Sequence, residues 1–239
     1  MIEYSSTTVF NTTMQTIVNT INCVGIMGRG LALDFRLRYP GMYEDYRIRC
    51  NEKKVNIGIP YVYNGYDPLL ILNFPTKLDW KHQSKIEWIE KGLIYFVNNY
   101  EKEKILSIAF PKLGTNSGGL RWNDVKSLME NYLNKIKIPV QICLNEEENA
   151  TGTEGKMVEI INKMTEDELV NKGGLVKRTA KVVCNNKPYR RFYEINKTKQ
   201  VSMHAYEKIY IFCYKRIEDQ KYWITGDVSP KGTMCATSM

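Results

Sequence analysis

The residue that first suggests chemistry in this sequence is Lys77, which closes the apolar segment Leu69–Phe74 and the Pro75-Thr76 dipeptide after it. A lysine in such a place is usually a solvated charge. If a ligand and a cleft remove part of its water, its pKa falls, and the neutral amine can act as a nucleophile or a base. We therefore expect Lys77 to face a cleft with a lowered pKa.

Two glycine-rich segments have the composition of phosphate-binding loops. The first follows Asn22 and contains Gly25, Gly28 and Gly30, and the second covers residues 113–120. Glycines let backbone amides approach a ligand closely, and a helix start adds partial positive charge. Neither segment is a Walker A sequence or a true G-x-G-x-x-G motif. Glycine spacing alone is equally compatible with tight turns, whereas two binding loops would clamp a diphosphate from both sides.

Composition excludes several other kinds of site. His82 and His204 are the only histidines, which leaves too little material for a zinc cluster or a Ser-His-Asp triad, and no cofactor or metal is expected. The six cysteines form no C-x-x-C pair and are expected to be reduced thiols. No apolar run approaches the roughly 18 residues of a membrane span, and no secretory signal is recognisable. We expect a cytosolic protein that does not enter membranes.

Short apolar segments alternate with helical patterns over residues 1–145, which is typical of an α/β domain. Ser84 and Glu87 have the spacing of a capping box, and a helix is predicted from Ser84 to Tyr100. Ligands of such domains bind beyond the carboxyl ends of the strands. Five strands are predicted, at Thr16–Ile21, Val55–Val62, Leu69–Phe74, Ile105–Phe110 and Val140–Leu144.

An acidic, glycine-containing segment, residues 146–155, is predicted to link residues 1–145 to a second domain formed by residues 156–239. For this small domain we predict an α+β fold, with a helix around residues 157–164 and strands from Val176 onward. Residues 176–216 contain eleven Lys and Arg but two Glu, a local charge of +9, interleaved with Tyr and Phe. This mixture fits nucleic-acid binding, although an ordinary aromatic core under a solvated basic face explains it as well.

Three sequence patterns occur together and in a characteristic order. They are N-T-I-N-C-V-G-I-M-G-R-G-L-A from Asn19 onward, N-F-P-T-K ending at Lys77, and L-G-x-x-x-G-G-L-x-W from Leu113. The combination resembles the macrodomain family, specifically its DNA ADP-ribosyl glycohydrolase branch, the DarG-type antitoxins, over about residues 1–144. The resemblance implies a three-layer macrodomain with a mixed central sheet. It also implies ADP-ribose or ADP-ribosylated DNA as ligand, and a cognate ADP-ribosyltransferase toxin as a partner of the C-terminal domain.

The resemblance also implies roles for individual residues. Lys77 would perform the glycosidic chemistry, and Asn22 would position the distal ribose. The diphosphate would lie against residues 28–31, and the second loop would close over the other side. The implied ligand-binding residues are Cys23, Val24, Gly25, Ile26, Met27, Gly28, Arg29, Gly30, Leu31, Ala32, Thr76, Leu113, Gly114, Thr115, Asn116, Ser117, Gly118, Gly119 and Leu120.

The sequence departs from the family pattern at three places. Thr7-Thr8 replaces a Gly-Asp pair whose Asp reads the adenine amino group, so adenine recognition is expected to differ. Gly118 occupies the place of a carboxylate that assists protein-ester hydrolysis in related enzymes. The loop residues 115–117 are Thr-Asn-Ser, where relatives that hydrolyse DNA adducts more often resemble Cys-Gly-Asn. A non-catalytic ADP-ribose-binding module is therefore the alternative to a glycohydrolase. ADP-ribose 1″-phosphate phosphatase activity has no specific support in the sequence.

Overall fold

The computed structural model describes residues 1–225, and Cys235 lies outside them. The chain divides into two compact units, with the boundary between Glu148 and Asn149. This boundary falls within the segment predicted as a linker, residues 146–155, but the end of that segment is already helical from Gly152. The linker prediction was therefore too long at its carboxyl end.

The first unit contains a six-stranded sheet made of β1 (Ile2–Ser5), β2 (Thr16–Asn22), β3 (Tyr61–Tyr66), β4 (Leu69–Lys77), β5 (Ile108–Pro111) and β6 (Val140–Cys143). The strand order is β1-β6-β5-β2-β4-β3. All neighbouring strands are parallel except β3, which is antiparallel to β4. The sheet is therefore mixed, as predicted.

Helices cover both faces of this sheet. They are α1 (Gly30–Arg38), α2 (Pro40–Asn51), α3 (Ile86–Asn99) and α4 (Trp122–Leu133). Phe35 and Met42 of α1 and α2 pack in one apolar core with Ile17 of β2. Leu93 of α3 and Met129 of α4 pack in a second core on the opposite face. Successive side chains of a strand alternate between these two cores, which produces the predicted three-layer α/β architecture.

The main differences between the predictions and the structure of this unit are one additional strand, one shifted strand and one helix start. β1 was not predicted, because it has four residues and its pattern of burial is only partial. The predicted strand Val55–Val62 begins six residues later than expected, at Tyr61. The capping box at Ser84 is wrong: the helix begins at Ile86 with Lys85 as its N-cap, and the amide of Ser84 instead donates to the carbonyl of Gly118 at 2.9 Å.

The described part of the second unit is helical throughout, and the predicted α+β fold with strands from Val176 is wrong. Its helices are α5 (Gly152–Lys163), α6 (Glu166–Asn171), α7 (Lys177–Asn185), α8 (Glu194–Lys197) and α9 (Met203–Thr225). Tyr206, Ile209, Tyr210, Cys213 and Ile217 are all buried along α9. They recur every three or four residues, which is the period of a helix. The strand preference of aromatic residues was outweighed by this period.

Four of the seven aromatic side chains described in the second unit, within residues 149–218, belong to its core. Tyr189, Phe192, Tyr206 and Tyr210 are buried, and the rings of Phe192 and Tyr210 meet edge to face at 5.3 Å. Their faces are therefore not available to stack on bases, which supports the ordinary-core interpretation over base stacking for these four residues. No helix within residues 1–225 has the length and apolar character to cross a membrane.

Candidate active site

The two residues assigned to catalysis lie side by side at the carboxyl ends of neighbouring strands. Asn22 ends β2, Lys77 ends β4, and the two are register partners. The pairing skips Thr76, because Ile21 is opposite Pro75 and the register shifts by one residue before Asn22. Such an irregularity at the end of a ladder re-aims the side chains that follow it. The register thus brings the side-chain amide of Asn22 and the amine of Lys77 to one edge of the sheet.

The Lys77 amine contacts the second glycine loop. Its Nζ donates a hydrogen bond to the carbonyl oxygen of Ser117. The side chain is partly buried, and this loss of water lowers the pKa of Lys77 below its usual value of 10.5. The predicted direction of the shift is confirmed. Lowering the pKa increases the fraction of neutral amine at a given pH, and that form carries a free electron pair.

Asn22 organises the first glycine loop from within. Its Nδ2 donates to the carbonyl of Ile26, and its Oδ1 accepts hydrogen bonds from the amides of Val24 at 3.0 Å and Ile26 at 3.4 Å. One Nδ2 hydrogen is not used by these bonds, because an amide group carries two. Asn22 therefore shapes the loop backbone and retains one donor for a ligand.

Tyr46 of α2 fixes the same loop, a role that the sequence analysis missed. Its hydroxyl lies 2.9 Å from Oδ1 of Asn22 and accepts a hydrogen bond from the amide of Gly25 at 3.1 Å. The side chain is fully buried, and burial raises the pKa of Tyr46, so the hydroxyl keeps its proton. No short motif could have revealed this contact, since 24 residues separate Tyr46 from Asn22.

The first loop leads directly into α1. Gly30, its first residue, has a φ of +54°, a conformation that favours glycine. Arg29 precedes it as N-cap, and its side chain makes no capping bond to the helix amides. A β-carbon on Gly28 would come no closer than 3.9 Å to another atom, Cγ2 of Ile26. The space beside the Gly28 backbone is therefore open, and the first amides of α1 lack a side-chain cap.

The second glycine loop is packed so tightly that Gly118 cannot carry a side chain. A β-carbon there would lie 2.1 Å from the carbonyl oxygen of Gly114 and 2.5 Å from Oγ of Ser84. The amide of Ser84 donates a hydrogen bond to the Gly118 carbonyl. Ser84 Oγ is buried and finds no hydrogen-bond partner among the described side chains, residues 1–218. A carboxylate at position 118 would require this loop to be rebuilt.

The remaining ligand-binding predictions fall into two groups. The side chains of Met27, Leu113 and Thr76 are buried, and Thr76 Oγ1 donates to the carbonyl of Ile21. These three can meet a ligand through their backbone alone. Val24 and Ile26 expose 46% and 44% of their surface. The exposed or partly exposed group also includes Cys23, Arg29, Leu31, Ala32, Thr115, Asn116, Ser117, Gly119 and Leu120.

Cysteine chemistry is not favoured at this edge. Burial raises the pKa of the Cys23 thiol to about 11, so the thiol stays protonated and unreactive near neutral pH. Cys50 also has a raised pKa because of its burial. Among the side chains that the structure describes, residues 1–218, no three His, Cys, Asp or Glu residues are placed to hold a metal ion.

Residues 78–84, here called the 78–84 segment, join the two glycine loops. At one end the carbonyl of Leu78 accepts a hydrogen bond from the amide of Cys23 at 3.2 Å, and at the other end Ser84 binds Gly118. Between them, Asp79 Oδ1 accepts from the amide of Lys81 at 2.9 Å and forms a tight turn. The segment borders the site directly after Lys77.

This fold and this arrangement of loops have relatives among known proteins. A family model described as Macro domain matches residues 18–129. The solved macrodomain of Thermus aquaticus DarG is 34% identical, with a TM-score of 0.58, over 60% of this chain and 98% of that structure. The chain belongs to the macrodomain family.

Other relatives of this macrodomain carry more specific names. The "DNA ADP-ribosyl transferase-DNA ADP-ribosyl glycohydrolase fusion protein" of Thermosipho africanus is 40% identical over 153 residues, which are 56% of this chain and 39% of that protein. The "DNA ADP-ribosyl glycohydrolase" of Mycobacterium tuberculosis is 41% identical over 129 residues, 53% of this chain and 37% of that one. The matches thus cover less than half the length of these relatives. The structure of Thermosipho africanus DarTG in complex with ADP-ribose matches 64% of this chain and 44% of that chain, with a TM-score of 0.59 and 37% identity.

Proposed function

We propose that the first unit is a cytosolic ADP-ribosyl glycohydrolase that removes ADP-ribose from a modified DNA base. The observation that carries the proposal is the register pairing of Asn22 with Lys77, and the hydrogen bond from the partly desolvated Lys77 amine to Ser117 of the second glycine loop supports it. The names of the relatives from Thermosipho africanus and Mycobacterium tuberculosis support the same reaction.

In this proposal the two loops hold the diphosphate. The uncapped amides at the start of α1 point toward its negative charge, and the partial positive charge of the helix start adds to this attraction. The open space beside Gly28 admits the phosphates close to the backbone. The free Nδ2 hydrogen of Asn22 donates to the distal ribose, whose anomeric carbon then lies near Lys77.

The reaction breaks the bond between the anomeric carbon and a base nitrogen. Water supplies a hydroxyl to the carbon and a proton to the base. Neutral Lys77 serves in one of two ways: it attacks the carbon and forms an intermediate that water then hydrolyses, or it removes a proton from the attacking water. Intact-mass spectrometry of a rapidly quenched reaction distinguishes them, because only the first route adds an ADP-ribosyl group to the protein.

The decisive experiment uses an ADP-ribosylated single-stranded oligonucleotide as substrate. The wild-type protein is expected to release unmodified DNA, while Lys77→Ala and Lys77→Arg are inactive because neither supplies a neutral amine. Both variants should still bind ADP-ribose in calorimetry. If the wild type binds ADP-ribose tightly but releases no DNA, the protein is a binding module, an alternative favoured by the lack of room for a second-loop carboxylate at Gly118.

The second unit is proposed to bind the cognate ADP-ribosyltransferase. The support is the Thermosipho africanus relative, whose name joins both activities in one protein. The test is co-purification of the full chain with that transferase. A second unit that alone fails to retain the transferase, while the first unit retains it, would contradict the assignment.

A further inference from the structure

The 78–84 segment presents an aromatic ring next to the site. Trp80 exposes 47% of its surface, although a large apolar side chain usually gains free energy by burial. It follows Lys77 by three residues, so the Cα atoms of the two are at most about 11 Å apart. The segment is held to both glycine loops through Cys23 and Gly118, which keeps Trp80 at the edge of the site.

Positive charges accompany this ring. The Lys81 Nζ lies 5.5 Å from the centre of the Trp80 ring, and the exposed Lys85 stands four residues further along, with its Nζ 5.3 Å from the Trp88 ring. Exposed aromatic faces interleaved with lysines are the combination that binds single-stranded nucleic acid, because rings stack on bases and ammonium groups attract phosphates.

The position of Trp80 in the sheet indicates which part of the substrate it meets. Adenine is expected near Thr8, just after β1, whereas Trp80 follows β4. These strands are four positions apart in the sheet, about 19 Å at the usual strand spacing of about 4.8 Å. In the proposed binding mode, Trp80 therefore lies on the side of the distal ribose, where the DNA base is attached, and away from the adenine.

We propose that Trp80 stacks on a base flanking the ADP-ribosylated base in single-stranded DNA, and that Lys81 binds a neighbouring phosphate. This inference rests on the proposed function. It adds a reason why the protein would act on a single DNA strand in preference to a free nucleoside. Neighbouring stacked bases are about 3.4 Å apart, so Trp80 is within reach of the first or second flanking base.

The test compares two substrates that share the scissile bond: an ADP-ribosylated single-stranded oligonucleotide and an ADP-ribosylated mononucleoside. Trp80→Ala is expected to raise KM for the oligonucleotide by about 5- to 150-fold, the range found when a stacking aromatic is removed, while kcat/KM for the mononucleoside stays within about twofold. Trp80→Phe keeps a ring and should recover most of the loss. Tyr95→Ala removes an exposed aromatic further along α3 and should change neither substrate.

A binding measurement makes the inference independent of turnover. Unmodified single-stranded DNA should bind Trp80→Ala more weakly than wild type, and Lys81→Ala should reduce the salt dependence of binding. Equal losses on both substrates, or weaker binding of free ADP-ribose, would assign Trp80 to the ADP-ribose pocket and overturn the inference. A wild type that hydrolyses neither substrate refutes the proposed function instead. DNA binding insensitive to Trp80 refutes the stacking role in either case.

Discussion

The pKa of Lys77 sets the pH at which its amine becomes neutral. If the neutral form works, kcat/KM rises with pH and levels off above that pKa. Because desolvation lowers the pKa from 10.5, the rising limb is expected at lower pH than for an ordinary lysine. The bound diphosphate stabilises the ammonium form of Lys77 and so raises its pKa in the enzyme–substrate complex. The pH profile of kcat reports the complex, and that of kcat/KM reports the free enzyme. The rise of kcat should therefore occur at higher pH than the rise of kcat/KM.

This prediction is measured by initial rates across a pH series with a saturating and a limiting substrate concentration. The stability of the protein over the same range is the control, recorded as thermal midpoints. A rate that falls as pH rises, or one that does not change, would remove Lys77 from the role of nucleophile or base.

Thr8 gives a second prediction at the level of one residue. Its hydroxyl accepts a hydrogen bond from the amide of Phe10 at 3.2 Å, so it caps a short 3-10 helix, Val9–Asn11. Thr8→Asp keeps a capping oxygen and adds a charged acceptor for the adenine amino group, a bond worth about 1.5–3 kcal/mol. Calorimetry should show ADP-ribose binding at least about tenfold more tightly. The hypoxanthine analogue, which lacks the amino group, should show no gain.

At the scale of an element, the two glycine loops differ in what they tolerate. Gly118→Ala forces a carbon against the Gly114 carbonyl at 2.1 Å and is expected to cost about 1–3 kcal/mol, as overpacked sites do. It also displaces Ser117, whose carbonyl binds Lys77, so turnover falls with stability. The β-carbon of Gly28→Val comes no closer than 3.9 Å to another atom, so this variant should leave Tm unchanged while weakening ADP-ribose binding.

Thermal melts and calorimetry on both variants separate the two effects. Gly118→Ala with an unchanged Tm would show that the loop has another arrangement. Gly28→Val with unchanged affinity would place the diphosphate elsewhere.

The strands and loops that carry the site were largely predictable, for a physical reason. Buried parallel strands leave continuous apolar runs in the sequence, and the residue that follows such a run must lie at the sheet edge. Lys77 was found in this way. Tyr46 and Ser84 were not, because each acts through a contact with a distant loop. The capping-box motif at Ser84 depends on residues close in sequence, whereas the hydrogen bond that Ser84 makes joins it to Gly118, which is distant in sequence.

For the whole molecule, all residues proposed for binding and chemistry lie in the first unit, Met1–Glu148. We expect residues 1–148 alone to hydrolyse the oligonucleotide with kcat and KM within about threefold of the full chain, since their core closes without the second unit. The full chain measured in parallel is the control. Loss of turnover in a fragment that still folds, judged by circular dichroism, would mean that the second unit contributes to the site.

The second unit shows where composition misleads. Its aromatic residues suggested strands, and their basic neighbours suggested a surface for bases. Arg191, one of those basic residues, is instead buried and forms a two-pronged ion pair with Glu154, with both N–O distances at 3.0 Å. Counting charges cannot distinguish such an internal pair from a surface patch.

The crowding around Gly118 also restricts how this lineage can change over evolutionary time. A carboxylate cannot be introduced at that position by a single replacement without moving the backbone, because the carbonyl of Gly114 occupies the space. Asn116 and Ser117 are exposed, and Asn116→Asp changes neither the size nor the shape of the side chain. Any descendant that gains an acidic group in this loop is therefore expected to acquire it at 116 or 117, and directed evolution of new substrate specificities should start at these two positions.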